Sequence, residues 1–314
     1  LAIAIAAAVV RSRARGRFYN LVDLVNLLEQ EKAAGRSGRL AEALLRHVSE
    51  HGEAGLAALD GMFAFALWDA PRRRLILARD RAGIKPLYYA PLPGGGLAFA
   101  SELTSLMAHP GVPRALDPEG LVSYFFSDYV QAPHTLLAGA RKLRPGHALV
   151  WADGVLSEPR PFWQAPAPRT VVAASTQGLA TELWDRMGAA VGRQLVADVP
   201  VGIFLSGGLD SSSVATLATA RSERPMTAFA IAFDDPTFDE SAHARHVATR
   251  LGATYVEETL RERDLLDVVD VAVDHLDEPL ADASYLPTYL LSRLAARHVK
   301  VVLGGDGGDE LWGG

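Results

Sequence analysis

A chain of 314 residues is long enough for two ordinary domains with separate cores. Its 49% hydrophobic and 22% charged residues are those of a soluble globular protein, and a formal charge of −6 gives no reason to expect a nucleic-acid partner, since that binding rests on phosphate neutralisation. Cysteine is absent, which excludes disulfides, thiolate metal sites and a cysteine nucleophile within this chain and is compatible with a cytoplasmic location.

The chain opens on an apolar run at 1–10, followed by Arg11, Arg13, Arg15 and Arg17. A secretory signal carries its charges before the apolar stretch, and a membrane span needs roughly 20 apolar residues. The run meets neither condition; it reads as a buried strand, or as the artefact of an incomplete chain end, with the arginines on a surface edge. Helical periodicity appears at 21–30 and 40–50. Strand character then dominates. Residues 63–68 and 75–78 read as neighbours joined by the polar turn at Asp69-Ala70-Pro71-Arg72, 97–100 follows Gly94-Gly95-Gly96, and 147–151 precedes Ala152-Asp153-Gly154. This half is expected to be α+β with layered sheets. Prolines at 159, 161, 166 and 168 forbid a regular helix or ladder and divide the chain into 1–160 and 174–314.

Beyond that boundary the pattern alternates. Helix is expected at 179–196, strand at 201–205, helix at 211–221, strand at 226–233, helix at 240–251 with Asp239 as its cap, and strand at 254–257. Helices at 263–276 and 284–298 and a strand at 300–303 complete the series. Such alternation implies a parallel sheet covered on both faces, with ligands bound beyond the carboxyl ends of its strands.

Two glycine-rich loops leave such ends. The first is Ser206-Gly207-Gly208-Leu209-Asp210-Ser211. Its glycines let backbone amides approach an anion, and the following helix start adds unpaired N–H groups and partial positive charge. Ser206 and Ser211 can donate hydroxyls, and Asp210 can hold magnesium between phosphates. It is not the Walker loop, which needs a lysine before its Ser or Thr. The second loop, Gly304-Gly305-Asp306-Gly307-Gly308-Asp309-Glu310, lets backbone lie flat against a nucleotide while its carboxylates project.

The first loop is similar to that of the ATP pyrophosphatases, which cleave ATP between the α and β phosphates and transfer AMP. Within them the chain resembles the glutamine-dependent asparagine synthetases in order from Leu59 to Gly314. Residues 59–69, Arg79-Asp80-Arg81-Ala82-Gly83-Ile84-Lys85-Pro86-Leu87-Tyr88 and Ala100-Ser101-Glu102 resemble that family's glutaminase domain. Residues 198–202, Asp277-Glu278-Pro279 and the second acidic loop resemble its synthetase domain. The resemblance implies an α+β Ntn-hydrolase-like layered sandwich, then an α/β ATP-pyrophosphatase domain, each incomplete. The implied reaction activates aspartate as β-aspartyl-AMP with loss of pyrophosphate; ammonia, from glutamine or free, then displaces AMP. The implied cofactors are ATP and Mg2+, and the partners are small molecules, with neither nucleic acid nor membrane; a homodimer is the assembly considered. Leu205 and Ile231 match positions whose backbone meets adenine, and Gly304 and Gly305 positions against AMP. Asp309 matches a second magnesium ligand beside Asp210. Asp306 matches the catalytic carboxylate, shorter here than the usual Glu, and Gly304 stands where Ser is usual.

The glutaminase half departs from the family pattern. Arg15-Gly16-Arg17 stands where Asn-Gly-Glu forms the oxyanion hole and holds glutamine, so only Gly16 is retained, and Leu40 stands where an aspartate grips the amino group. An arginine facing an ammonium is repulsive. These departures keep open a β-lactam-synthetase-like ligase with a non-functional glutaminase domain, and a nucleotide-binding fragment without turnover. His243 and His246 suggest a solvated helix face, and Asp234, Asp235, Asp239 and Glu240 loop and cap chemistry. Asp282 and Ser284 are weaker substrate candidates.

Overall fold

The computed structural model describes residues 39–166, 175–197, 199–237 and 239–312. The expected elements at 1–10 and 21–30, the Arg11–Arg17 cluster and Gly16 lie outside them. The chain divides into two units: the first takes residues up to 167 together with Leu276–Ala281, and the second takes the remainder.

In the first unit, α1 (Arg39–His51) precedes β1 (Ala64–Asp69) and β2 (Arg74–Arg79), an antiparallel pair in the register Leu67 to Ile76. β3 (Tyr88–Leu92) and β4 (Gly96–Ala100) form a second hairpin, followed by the helices α2 (Leu103–Met107) and α3 (Pro118–Ser127). β5 (Arg141–Lys142) joins β3, β6 (His147–Ala152) joins β2, and the short β7 (Val155–Leu156) and β8 (Arg160–Pro161) pair with β6. The result is two antiparallel sheets, β1-β2-β6-β7 with β8 on β6, and β4-β3-β5.

Period-two alternation assigns each residue to a layer. Ile76 and Ala78 of β2 face Val48 and Leu56, whereas Leu75 and Leu77 face Tyr89 of the other sheet and its flanking Leu87 and Leu143. That sheet turns Ala90, Ala98 and Ala100 to Leu103 and Leu106 of α2. The order is helix, sheet, sheet, helix, as the layered expectation requires. β3 was not anticipated, because its residues merge with a glycine- and proline-containing motif. α3 was also missed, since Val122, Phe125 and Phe126 leave an apolar exposed side and blur amphipathic periodicity. Its signal was the start: Asp117 accepts from Glu119 N at 3.1 Å and Pro118 opens the first turn.

The corner after β2 is built on charge. Asp80, 1% exposed, accepts from the amides of Ile84 and Lys85 at 3.0 Å and of Phe63 at 3.3 Å. Arg79 donates to the carbonyls of Lys85 and Leu143 at 2.8 Å and of Gly83 at 2.6 Å. Burial lowers the Arg79 pKa, while the neighbouring Asp80 charge acts the other way.

In the second unit, α4 (Thr176–Gln194) leads to β9 (Val201–Phe204), α5 (Leu209–Thr219), β10 (Thr227–Phe233), α6 (Ser241–Leu251) and β11 (Thr254–Leu260). α7 (Glu262–Leu266), α8 (Val269–Asp274), α9 (Tyr285–Ala296), β12 (Val301–Leu303) and α10 (Gly308–Trp312) follow. The strand order is β11-β10-β9-β12, all parallel. Ala228 and Ala230 pack against α4, α5 and α6, and Phe229 against Leu294 and Ala295 of α9, so both faces are covered as expected. Fully burying a ring such as Phe229 contributes about 1.5–3 kcal/mol. The single helix expected at 263–276 is two short ones, broken at Asp267-Val268 where helix propensity is low. Among the described residues no helix is long and apolar enough to cross a membrane.

Replacing Asp80 by Asn turns half of an acceptor-only group into a donor facing amide donors. Asp80→Asn should lower stability by about 1.5–3 kcal/mol, the worth of hydrogen bonds to a charged group. Asp153→Asn, at an exposed pair with Arg73, should stay within about 0.5 kcal/mol. Urea titrations of both variants measure the difference; equal midpoints would remove Asp80 from its structural role.

Candidate nucleotide site

At the end of β9, Leu205 keeps to the sheet, donating its amide to the Phe229 carbonyl at 2.9 Å. The chain then turns through Ser206, Gly207 and Gly208 into α5, closed by its own serines. Gly208 N donates to Ser206 Oγ at 3.2 Å, and Ser206 N donates to Ser211 Oγ at 3.3 Å. The two hydroxyls lie 3.0 Å apart, and Ser211 Oγ donates to the Gly208 carbonyl at 3.3 Å. Both serine hydroxyls are thus engaged in holding the loop.

α5 begins at Leu209 with Gly208 as its N-cap, two residues earlier than expected. Asp210 therefore stands inside the first helical turn. The first intrahelical bond is Ser212 N to the Gly208 carbonyl at 3.0 Å, so the amides of Leu209, Asp210 and Ser211 precede it at the positive end of the helix. Ser206, Gly208 and Leu209 are exposed, Asp210 is half-buried and Ser211 is buried. Gly207 has φ +88°, and a Cβ there would come within 2.5 Å of His243 Cβ and 2.6 Å of Ala244 N, because the first turn of α6 lies against it. Both conformation and space demand glycine.

β12 lies beside β9 in parallel, Leu303 opposite Ile203, so the second loop emerges next to the first. The two backbones touch. A Cβ on Gly305 would sit 2.7 Å from Ser211 N and 3.1 Å from the Asp210 carbonyl carbon, and one on Gly308 would fall on the Asp210 carboxylate. Gly308 was read only as one of the loop's dense glycines, with no role of its own. Asp306 and Asp309 are exposed, and the Asp306 carboxylate folds back over Gly304, where a Cβ would lie 2.5 Å from its oxygen. Asp309 stands in the first turn of the short α10. The second loop therefore meets the first at Asp210 and Ser211. Ile231 stands two residues before the end of β10, packed with Leu260, Val268 and Leu290.

Among the described residues no group of three or more His, Asp or Glu side chains is set to hold a metal. His243 and His246 are exposed on α6. The amide of Thr237 holds Asp235 below its ordinary value, and that of Ser241 does the same for Asp239, which also accepts the Ser241 hydroxyl at 3.1 Å. The hydroxyl and amide of Ser284 likewise lower Asp282. These carboxylates are held by local turns.

The glutamine amidotransferase domain family matches residues 10–163, and the asparagine synthase family matches residues 182–314. A Mycobacterium tuberculosis protein with a provisional asparagine synthetase (glutamine-hydrolyzing) name is 36% identical over 305 residues, covering 95% of this chain and 46% of that protein. Asparagine synthetase (glutamine-hydrolyzing) 1 of Bacillus subtilis is 33% identical over 301 residues, with 95% and 46% covered. Amidase chyE of Penicillium rubens is 35% identical over 290 residues, with 87% and 42% covered. The chain spans less than half the length of each of these relatives. Likeness to solved structures is slight and carries no weight: a glutamine-dependent NAD+ synthetase from Acinetobacter baumannii with ADP shares 18% identity at TM-score 0.34, covering 52% of this chain and 35% of that one. Both domain families are thus matched in order along the chain, which is similar over 95% of its length to proteins named as glutamine-hydrolyzing asparagine synthetases.

Proposed function

We propose that the chain is part of an ATP-dependent amide-forming ligase. Its second unit, an ATP-pyrophosphatase-type domain within 174–314, would activate a carboxylate, aspartate by family. Its first, an Ntn-hydrolase-like glutaminase-type domain within 1–160, would descend from the nitrogen-supplying half. A cytoplasmic enzyme acting on small molecules fits this reading. The observation that carries it is the contact of the two glycine loops at Gly305 and Ser211, beyond the ends of adjacent parallel strands.

The residues fit a nucleotide triphosphate. The amides of Leu209, Asp210 and Ser211 at the start of α5 suit the pyrophosphate, and Gly304 and Gly305 offer flat backbone to AMP. Leu205 and Ile231 would border the adenine. Asp210 and Asp309 supply the hard oxygen ligands that Mg2+ takes, one or two carboxylates beside substrate phosphates being its ordinary protein share. When bound, Mg2+ neutralises phosphate charge. The substrate carboxylate attacks the α-phosphorus and pyrophosphate leaves; ammonia then attacks the acyl carbon, the C–N bond forms, and AMP leaves. Asp306 would assist both steps from the exposed edge of the second loop. The protein's part is positioning and charge neutralisation.

A second reading, a ligase for a carboxylate other than aspartate, is favoured by Arg15, Arg17 and Leu40 at glutamine-holding positions. Exchange of labelled pyrophosphate into ATP separates the two. Aspartate should stimulate exchange; stimulation by another carboxylic acid, with aspartate inert, supports the second reading.

With no cysteine in its 314 residues, the chain should release no glutamate from glutamine above the buffer rate. A glutamate assay on protein free of contaminating glutaminase checks this, and release above that rate overturns it.

Asp210→Ala should leave the amide cradle intact and remove one magnesium ligand. Mg-ATP binding should weaken about 10- to 100-fold, the loss of roughly 1.5–3 kcal/mol from a charge-assisted contact, with metal-free ATP affected much less. Asp235→Ala, in a turn held by the Thr237 amide at 2.8 Å, is the matched control. Calorimetry with and without magnesium reads both. Unchanged Mg-ATP affinity in Asp210→Ala would remove the nucleotide from this loop.

A further inference from the structure

Leu276–Ala281 lies in sequence between α8 and α9 of the second unit, yet it packs as part of the first. Its contacts are specific. The Glu278 side chain is 8% exposed and pairs with Lys142 Nζ at 2.5 Å, and its other oxygen accepts from the Leu136 amide at 2.8 Å. Lys142, on β5 beside Tyr88 of β3, also donates to the Val130 carbonyl at 2.5 Å. Asp277 accepts from the amides of Leu103 at 2.7 Å and Thr104 at 3.0 Å and from the Thr104 hydroxyl at 2.8 Å. It thus caps α2, whose own N-cap residue Glu102 makes no side-chain cap bond. Ala281 closes the segment by donating its amide to the Asp128 carbonyl at 2.9 Å.

We propose that the first unit carries a recognition cradle for the acidic pair Asp277-Glu278, and that the buried Glu278–Lys142 ion pair is an intramolecular latch holding Leu276–Ala281 there. The first unit then depends for its own order on residues encoded among the helices of the second. Three features argue for a built cradle. Every carboxylate oxygen of Asp277 and Glu278 has a donor, the condition for burying charge. The one lysine in contact is fixed by a second acceptor as well as by its strand. Tyr88 alongside is kept protonated, by burial first and then by the charges of Glu278 and Asp277. Removing either partner of the pair leaves an uncompensated buried charge, whereas removing both charges does not.

Amide hydrogen exchange on the whole chain tests the latch. In Lys142→Met, and in Glu278→Gln, the amides of Leu136 and Ala281 should exchange at least about 10-fold faster than in the parent, one decade per 1.4 kcal/mol. The Leu205 amide, between β9 and β10, should keep its parent rate. In the double variant Glu278→Gln/Lys142→Met, Leu136 should exchange more slowly than in either single variant, because no buried charge is left unpaired and Gln can still accept its amide. That comparison holds even if one single variant fails to fold. Unchanged exchange at Leu136 and Ala281 in folded single variants overturns the proposal. So does an equal acceleration at Leu205, or a double variant as fast as the worse single one.

Discussion

The second unit's site rests on one steric fact: two loops leaving adjacent parallel strands touch backbone to backbone. β9 and β12 pair in register, so their exits are neighbours, about 4.8 Å apart in a sheet. Any side chain on Gly305 would occupy the space of the Ser211 amide, and any on Gly308 that of the Asp210 carboxylate. The glycines are therefore less a source of flexibility than a means of close approach. They set Asp210 against the second loop while its own helix holds its backbone. The serine hydroxyl ring completes the arrangement by fixing the turn from inside.

The first unit solves a different problem with different chemistry. Two sheets packed face to face need corners, and a corner buries backbone groups that no ladder can satisfy. Arg79 and Asp80 meet that need as a pair, the cation taking three carbonyls and the carboxylate three amides. Opposite charges in consecutive positions let one short motif satisfy both kinds of orphan group. The motif carrying the resemblance to a glutaminase domain is accordingly, in this region, a folding device.

Much of this was legible in the sequence, for physical reasons. The parallel sheet announced itself because buried strands read as apolar runs and alternate with helices of similar length. The hairpin of β1 and β2 followed from two apolar runs around a polar turn. What escaped were elements whose signal is not periodicity. α3 keeps an apolar surface and declares itself only at Asp117 and Pro118, and β3 hides inside a motif read for its chemistry. The start of α5 was misplaced by two residues: Gly208 holds the N-cap position, and the Ser211 side chain turns back on the loop. The placement of Leu276–Ala281 had no sequence signal, since Asp277-Glu278-Pro279 fits a helix end as well as a docked segment.

The carboxylates divide by a simple rule. Asp80, Asp117, Asp277 and Glu278 each accept backbone amides, and most pair with a cation or a hydroxyl as well. A carboxylate so satisfied is building material: it would lose folding energy by turning to a ligand. Asp306 and Asp309 are different, exposed on a glycine-rich loop beyond a strand end. Asp210 stands between the classes, half-buried and pressed against Gly308, yet in a first helical turn where anions are drawn. Such a group is held in place by shape rather than by hydrogen bonds. In the proposed reading it would keep its lone pairs for an incoming cation while losing little freedom on binding it, which is the condition for a preorganised metal ligand.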